Sequence, residues 1–365
     1  MSPDPQPASL FDPEGRPLTD PSQVEHALAS LWKPPPAQHE AAVASRICKG
    51  NLVVVGLSAA WPRLSDVLGE LSPLVPSRTV VLLLEEADPS GSEGVRGYRA
   101  SVSALCHVPQ PGRPQVCCEQ IVLRSAVVEP EDLVRTFLPL LESDVPTQSW
   151  WTVDPAEWPV LFAAVGSLSD RLIVDAGAAG LTHLESVGRC AVRELGWYRT
   201  ARWREQIVGL FDGPAAAALS GIQDVVIEMA GEGDEHRVDA FWLAAFLAGQ
   251  LGWQGDRREP GLCVFQSAGR SIPVTLGWKS RLPGGLVSLV IRCDDAHFEI
   301  VRCTEMASQY RIIECDAEVC ELPRCIEAVR LGRAEALAMG LAGRVADLAF
   351  TRAAPVAAWM AGDAA

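Results

Sequence analysis

Asn51-Leu52-Val53-Val54-Val55-Gly56-Leu57, then Ser58-Ala59-Ala60-Trp61, then a helical pattern over Pro62 to Leu71, then Thr79-Val80-Val81-Leu82-Leu83-Leu84: this stretch decides the fold. Two short, nearly unbroken apolar runs rich in β-branched residues, with an amphipathic segment between them, predict parallel strands buried on both faces and joined by a crossover helix. Outward from this unit, Ala100 to Val108, Val116 to Arg124, Ser149 to Val153 and Arg171 to Val174 read as further strands. Helical patterns over Ser22 to Trp32, Gln38 to Lys49, Pro130 to Leu141, Pro155 to Val165 and Leu181 to Glu194 lie around and between them.

Beyond Gly196 the pattern changes. Thr200 is placed to cap a helix on which Trp203, Ile207 and Phe211 share one stripe, leaving Arg202, Arg204 and Glu205 off it. A strand is predicted over Asp224 to Met229. A helix over Asp239 to Leu251 follows, apolar on most of its circumference. Alternating runs at Ile272 to Trp278, Leu286 to Cys293, Phe298 to Cys303 and Tyr310 to Cys315, divided by turn formers such as Pro283-Gly284-Gly285, predict an antiparallel meander. Helices over Pro323 to Met339 and Ala346 to Met360 would cover one of its faces. The expected organisation is therefore a disordered proline-rich tail over 1–21, an α/β domain with a Rossmann-like layered sheet over 22–212, and an α+β domain with a helix-covered antiparallel sheet over 213–365.

The chain of 365 residues is 48% apolar and 21% charged, long enough to bury one or two sizeable cores. Its formal net charge of −15 opposes binding to nucleic acid or to an anionic membrane, and its apolar runs fall short of the ~20 residues of a membrane helix. The N-terminus lacks the basic start and apolar stretch of a signal peptide, which points to the cytoplasm. Eleven cysteines, an odd number without a Cys-x2-Cys pair, are expected mostly as reduced, packed side chains with no metal site.

Catalytic motifs are lacking. The turn after Leu57 offers Gly56 alone where a phosphate-cradling loop needs closely spaced glycines, and there is no Walker loop, Gly-x-Ser-x-Gly or His-Glu-x-x-His. The six histidines are scattered singly. No catalytic residue, cofactor or metal is expected. What stands out is the placement of tryptophan and arginine, the residue types most enriched at binding hot spots. On a strand, Trp150 and Trp151 point to opposite faces, so a ring beyond the core needs a cover. Asp170 and Arg171 open a short buried strand that Asp175 closes. Trp197, Arg199, Arg202, Trp203, Arg204 and Glu205 interleave indoles and guanidinium groups in an acidic chain.

On these residues the chain resembles the glucose-6-phosphate dehydrogenase assembly protein family, OpcA. The resemblance is carried by Cys118-Glu119-Gln120-Ile121-Val122, Trp150-Trp151, Asp170-Arg171-Leu172-Ile173-Val174-Asp175 and Leu247-Ala248-Gly249-Gln250-Leu251-Gly252-Trp253. Its most specific part is Leu195-Gly196-Trp197-Tyr198-Arg199-Thr200-Ala201-Arg202-Trp203-Arg204-Glu205. The resemblance implies a non-catalytic cytoplasmic protein that binds glucose-6-phosphate dehydrogenase, promotes its active oligomer and so controls entry into the oxidative pentose phosphate pathway. The segment Trp197 to Glu205, with Trp150, Trp151, Asp170 and Arg171, would form or brace the docking surface. The alternative is a sugar-phosphate-binding protein or enzyme using the α/β domain, with Arg199 and Arg204 as phosphate clamps. Family members commonly read Asp-Leu-Asn-Trp where this chain has Glu194-Leu195-Gly196-Trp197. The thioredoxin link of photosynthetic relatives is not carried over, since their cysteines find no match here.

Overall fold

The computed structural model describes residues 21–32, 44–85, 97–108, 115–126, 130–231, 233–279, 282–303, 308–316, 319–342 and 347–362. The chain forms two compact units, one of residues 1–176, 185–193 and 337–343, the other of 177–184, 194–336 and 344–365. Apart from Pro21, the proline-rich segment expected to be a disordered tail lies outside the described residues.

The first unit contains α1 (Pro21–Leu31), β1 (Ala44–Arg46), β2 (Asn51–Leu57), α2 (Trp61–Leu71), β3 (Arg78–Leu84), β4 (Gly97–His107), β5 (Gln115–Ala126), α3 (Pro130–Phe137), β6 (Thr147–Trp151), α4 (Pro159–Leu168) and β7 (Arg171–Val174). After the short α5 (Gly177–Gly180) of the second unit, β8 (Ala191–Glu194) completes its sheet. Strand order is β1-β5-β3-β2-β6-β7-β8, with β4 antiparallel on β5. The central pairs β5-β3, β3-β2, β2-β6 and β6-β7 are parallel, and the order reverses between β2 and β6. That reversal is where doubly wound sheets open a crevice at their strand ends. In this chain Thr152 donates its hydroxyl to the Val55 carbonyl there at 2.9 Å. A Cβ on Gly56 would sit 2.7 Å from the Thr152 hydroxyl oxygen and 2.6 Å from Leu64 Cδ1, so the turn is packed by side chains. Every residue of β3 is buried: the apolar run Val80 to Leu84 dictates it for most of the strand, and Arg78 at its start is paired with buried Glu119 at 3.0 Å.

Three expected helices are corrected. Over Gln38 to Lys49, the described part holds strand β1, paired in parallel with β5 (Ala44 with Gln115), and Arg46 at its end salt-bridges Glu119 at 3.0 Å. The sheet edge and this buried carboxylate outweigh a modest helical pattern. Residues 38–43 lie outside the described residues. Over Leu181 to Glu194, a 3-10 turn (Leu181–His183) and a bridge between Val187 and Cys190 precede β8. Gly188, at φ 60°, makes the left-handed turn that a helix cannot contain. Over Pro323 to Met339, strand β16 (Arg324–Glu327) adds to the sheet edge before α9 (Arg333–Ala342) begins after Gly332.

The second unit continues with α6 (Leu195–Arg199), α7 (Ala201–Leu210), β9 (Ile222–Ala230), α8 (Asp234–Leu251), β10 (Gln254–Glu259), β11 (Leu262–Ser267), β12 (Arg270–Lys279), β13 (Gly285–Cys293), β14 (Ala296–Arg302) and β15 (Gln309–Asp316), and ends on α10 (Leu348–Ala361). Its sheet runs β10-β11-β12-β9-β13-β14-β15-β16. The expected antiparallel sheet is corrected to a mixed one: β9 and β12 are parallel (Val225 with Val274), because α8 and the β10-β11 hairpin lie between them and return the chain in the same direction. α8 is buried along nearly its whole length, from His236 to Ala248, and α10 packs on it.

Cys106 is bonded to its cross-strand neighbour Cys117, and Cys315 to Cys320. Burial pushes the Cys190, Cys263 and Cys293 thiols up to about 11, so at neutral pH they pack as small apolar groups.

Candidate docking segment, residues 194 to 211

The segment is built from its first residue. Glu194, fully buried at the end of β8, is the N-cap of α6 and accepts the Gly196 amide at 2.6 Å on Oε2. The same oxygen accepts the Trp242 indole N–H from α8. Gly196 makes room for this arrangement: a Cβ there would lie 2.8 Å from Glu194 Oε2 and 2.9 Å from both Trp242 Cδ1 and Val238 Cγ1. The long acid and its side-chain-free neighbour therefore fit one another at this cap.

Trp197 follows, 1% exposed, edge-on to Trp242 (5.2 Å) and Phe350 (5.5 Å) and tilted against Phe246. Its indole N–H donates to Asp347 Oδ2 at 2.9 Å, while Asp347 Oδ1 accepts the Phe350 amide and caps α10. Arg204, one turn into α7, closes the box: its Cζ stands 3.3 Å from the Trp197 ring centroid and its Nη2 donates to the Trp197 carbonyl at 2.7 Å. Burial pushes the Arg204 guanidinium down to about 9, against the pull of Asp347, which leaves it charged at neutral pH.

Arg199 and Asp239 form a fully buried pair at 2.9 Å, and Arg330 takes the other Asp239 oxygen at 2.7 Å. Glu235 joins Arg330 at 3.5 Å and Arg333 at 3.0 Å. Burial alone would raise the Glu235 carboxyl, but Arg330, Arg199 and Arg333 hold it below its usual value. Such a network resists the loss of any one member far more than it adds net stability. Thr200 occupies the N-cap position of α7, yet its hydroxyl donates back to the Gly196 carbonyl at 2.9 Å instead of accepting from α7. Trp203, 1% exposed, donates to the Ala328 carbonyl at 3.2 Å and lies against Gly285. At φ 119°, and with Trp203 Cζ2 3.2 Å from where a Cβ would stand, that position admits little else.

Arg202 and Glu205 are exposed, joined by a 3.4 Å ion pair, with Val208 (52% exposed) one turn on. They form the outward ridge of α7. In the first unit, Trp150 and Trp151 are both buried, Trp151 edge-on to Phe162 at 5.0 Å. The Asp170 carboxylate accepts the Thr147 amide at 2.9 Å, and buried Arg171 donates to the carbonyls of Gly340 and Leu341 near the end of α9. The segment thus brings together Trp197 with Arg204, and Arg199 with Asp239. The partners that complete both clusters, Trp242, Asp239, Asp347 and Arg330, sit between 40 and 150 residues away, and only the all-round apolar pattern of α8 hinted at any of them.

The family described as glucose-6-phosphate dehydrogenase subunit, OpcA, matches this chain with its N-terminal domain over residues 69–187 and its C-terminal domain over 190–354. The chain belongs to that family. Two curated relatives are similar to it at 27% identity over 171 residues, 44% of this chain. Both are named "Putative OxPP cycle protein OpcA", from Synechococcus elongatus and Synechocystis sp., and the match spans 38% and 35% of their respective lengths. Among solved structures, KijD10, a 3-ketoreductase from Actinomadura kijaniata, in complex with NADP and TDP-benzene, has a TM-score of 0.47 at 12% identity over 86% of this chain and 96% of that one. Biliverdin reductase from Synechocystis sp. has a TM-score of 0.46 at 10% identity over 86% and 98%. Among the described residues no helix is long and apolar enough to cross a membrane.

Proposed function

We propose that this protein is a non-catalytic cytoplasmic partner of glucose-6-phosphate dehydrogenase that promotes the enzyme's active oligomer and so controls entry into the oxidative pentose phosphate route. The observation that carries the reading is the consecutive match to both domains of the dehydrogenase-subunit family. A partner that binds the active form better than the inactive one shifts the enzyme toward it by its differential affinity, with no chemistry of its own.

Within this reading the docking residues divide by burial. The exposed ridge of Arg202, Glu205 and Val208 touches the enzyme. Trp197, Arg199, Trp203 and Arg204 fix the ridge from beneath, and Trp150, Trp151, Asp170 and Arg171 fix the strand ends of the first unit. The sugar-phosphate alternative is not adopted, since Arg199 already pairs with Asp239 and Arg204 lies on Trp197.

The test is the initial velocity of the dehydrogenase across substrate concentration, with and without this protein. A lower apparent KM marks activation of existing enzyme; a higher maximal rate at unchanged KM marks assembly. No change in either, at protein in excess of enzyme, overturns the reading.

A further inference from the structure

In the second unit, away from α7, a cavity of about 520 Å3 opens where α8, the β10-β11 turn, β12 and the end of α10 meet. Its volume lies in the range of small-molecule sites, roughly 300–1,000 Å3. Its lining is unusual for a chain of net charge −15. Arg237 and Arg258 stand at the wall, Phe241, Leu276 and Met360 supply apolar surface, and Trp278 flanks it, 47% exposed.

The two guanidinium groups are positioned by aromatic faces. Arg237 lies 5.4 Å over the Phe241 ring, one turn along α8, and makes no ion pair among the described residues. Arg258 donates to the Trp359 carbonyl and lies 5.9 Å from the Trp359 ring. Glu259, the acid of the lining, is engaged by Arg257 at 3.4 Å. The Arg237 guanidinium, half-buried and without a carboxylate among the described residues, is a ready receptor for an external one, since its planar fork matches two acidic oxygens.

The remaining lining decides what the anion is attached to. Among the described residues it offers no Ser, Thr, Asn, Gln or His side chain, so the hydroxyls of a sugar would enter without partners, at a cost in affinity. An indole, a phenyl ring and two aliphatic side chains instead favour a flat or extended apolar body.

We propose that this cavity binds an organic acid, a carboxylate or sulfonate on an apolar body, with Arg237 as the anion receptor and Trp278 as the flanking wall. The site is independent of the docking reading and stands or falls without the dehydrogenase.

The probe is 8-anilinonaphthalene-1-sulfonate, which carries both features, titrated into the full chain and read by dye fluorescence and by energy transfer from tryptophan. The expected result is a single site, weakened about tenfold by Arg237→Gln, the loss of one charge-assisted hydrogen-bonding partner. Trp278→Leu should lower the energy transfer, and both variants should retain the wild-type melting temperature. Should Arg237→Gln fail to fold, Trp278→Leu alone carries the test. Displacement of the dye by indole-3-acetate assigns an aromatic acid and displacement by decanoate an aliphatic one. Dye binding unaltered in the folded variants, displacement by neither acid, or displacement by glucose 6-phosphate at equal concentration overturns the proposal.

Discussion

Arg204 lies on the face of Trp197, its guanidinium carbon 3.3 Å from the ring centroid, while donating to the carbonyl of the same residue at 2.7 Å. The pair locks the first turn of α7 onto α6, and Asp347, accepting the indole N–H, ties both to α10. A flat cation can do this and an ammonium cannot, because only the guanidinium stacks on the ring and donates in its own plane. Arg204→Lys is therefore expected to destabilise the protein by about 1–2 kcal/mol in urea unfolding, and Trp197→Ala by about 3–5 kcal/mol through the lost aromatic box. An unfolding midpoint for Arg204→Lys equal to wild type contradicts the stacking argument.

Glu194 and Gly196 should behave as one unit. Gly196→Ala forces a Cβ into the 2.8–2.9 Å gap among Glu194, Trp242 and Val238 and is expected to cost about 1–3 kcal/mol. Shortening the acid relieves part of the clash, so the double variant Glu194→Asp with Gly196→Ala should be more stable than the sum of its single changes by about 0.5 kcal/mol or more. Urea titrations of the four proteins of this cycle decide it; strict additivity would refute the compensation.

His236 contributes to the pH dependence of the second unit's stability. Its ring is packed between Gly231 and Gly284, its Nδ1 meets no partner among the described residues, and burial, with Arg330 nearby, holds its pKa below the ordinary 6.5. Arg199 adds to that effect, whereas Glu235 and Asp239 oppose it. A histidine depressed in the folded state binds its proton better when unfolded. Its contribution is therefore present above the unfolded value of 6.5 and lost as pH falls through the folded value. The unfolding midpoint should fall between pH 7.5 and pH 5, and fall less steeply in His236→Gln. Equal slopes for the two proteins contradict this assignment.

The ridge of α7 should separate binding from stability. Arg202 and Glu205 are more than half exposed and 3.4 Å apart, so Arg202→Ala is expected to change stability by no more than about 0.5 kcal/mol. On the proposed reading the same change weakens association with the dehydrogenase, about 5-fold or more if Arg202 is an anchor. Calorimetric titration of the enzyme with each variant reads the difference. A destabilised variant with unaltered affinity reverses the roles assigned to the ridge and its supports.

The sequence spoke most clearly where side-chain pattern and backbone need coincided. The apolar runs of β2 and β3 leave no other way to bury both faces, and the all-round apolar surface of α8 demands cover on every side. β10 (Gln254–Glu259) was illegible: its polar side chains are mostly exposed, and its strand state comes from backbone pairing with β11. β16 hid inside a helical pattern for the same reason. Within the candidate site, the Trp and Arg concentration was plain, but its division into supports and ridge was not. Burial of Trp197 depends on Trp242, Phe350 and Asp347, and burial of Arg199 on Asp239 and Arg330, pairings that no local spacing encodes.

Co-sedimentation of this protein with glucose-6-phosphate dehydrogenase from the same cell, wild type beside Val208→Asp, tests the central claim most directly. The account predicts that wild type migrates with the enzyme as one species, and that Val208→Asp, at wild-type melting temperature, binds at least about tenfold more weakly, as truncating an interface anchor would. Separate migration of the wild-type protein at concentrations well above those in the cell would contradict it.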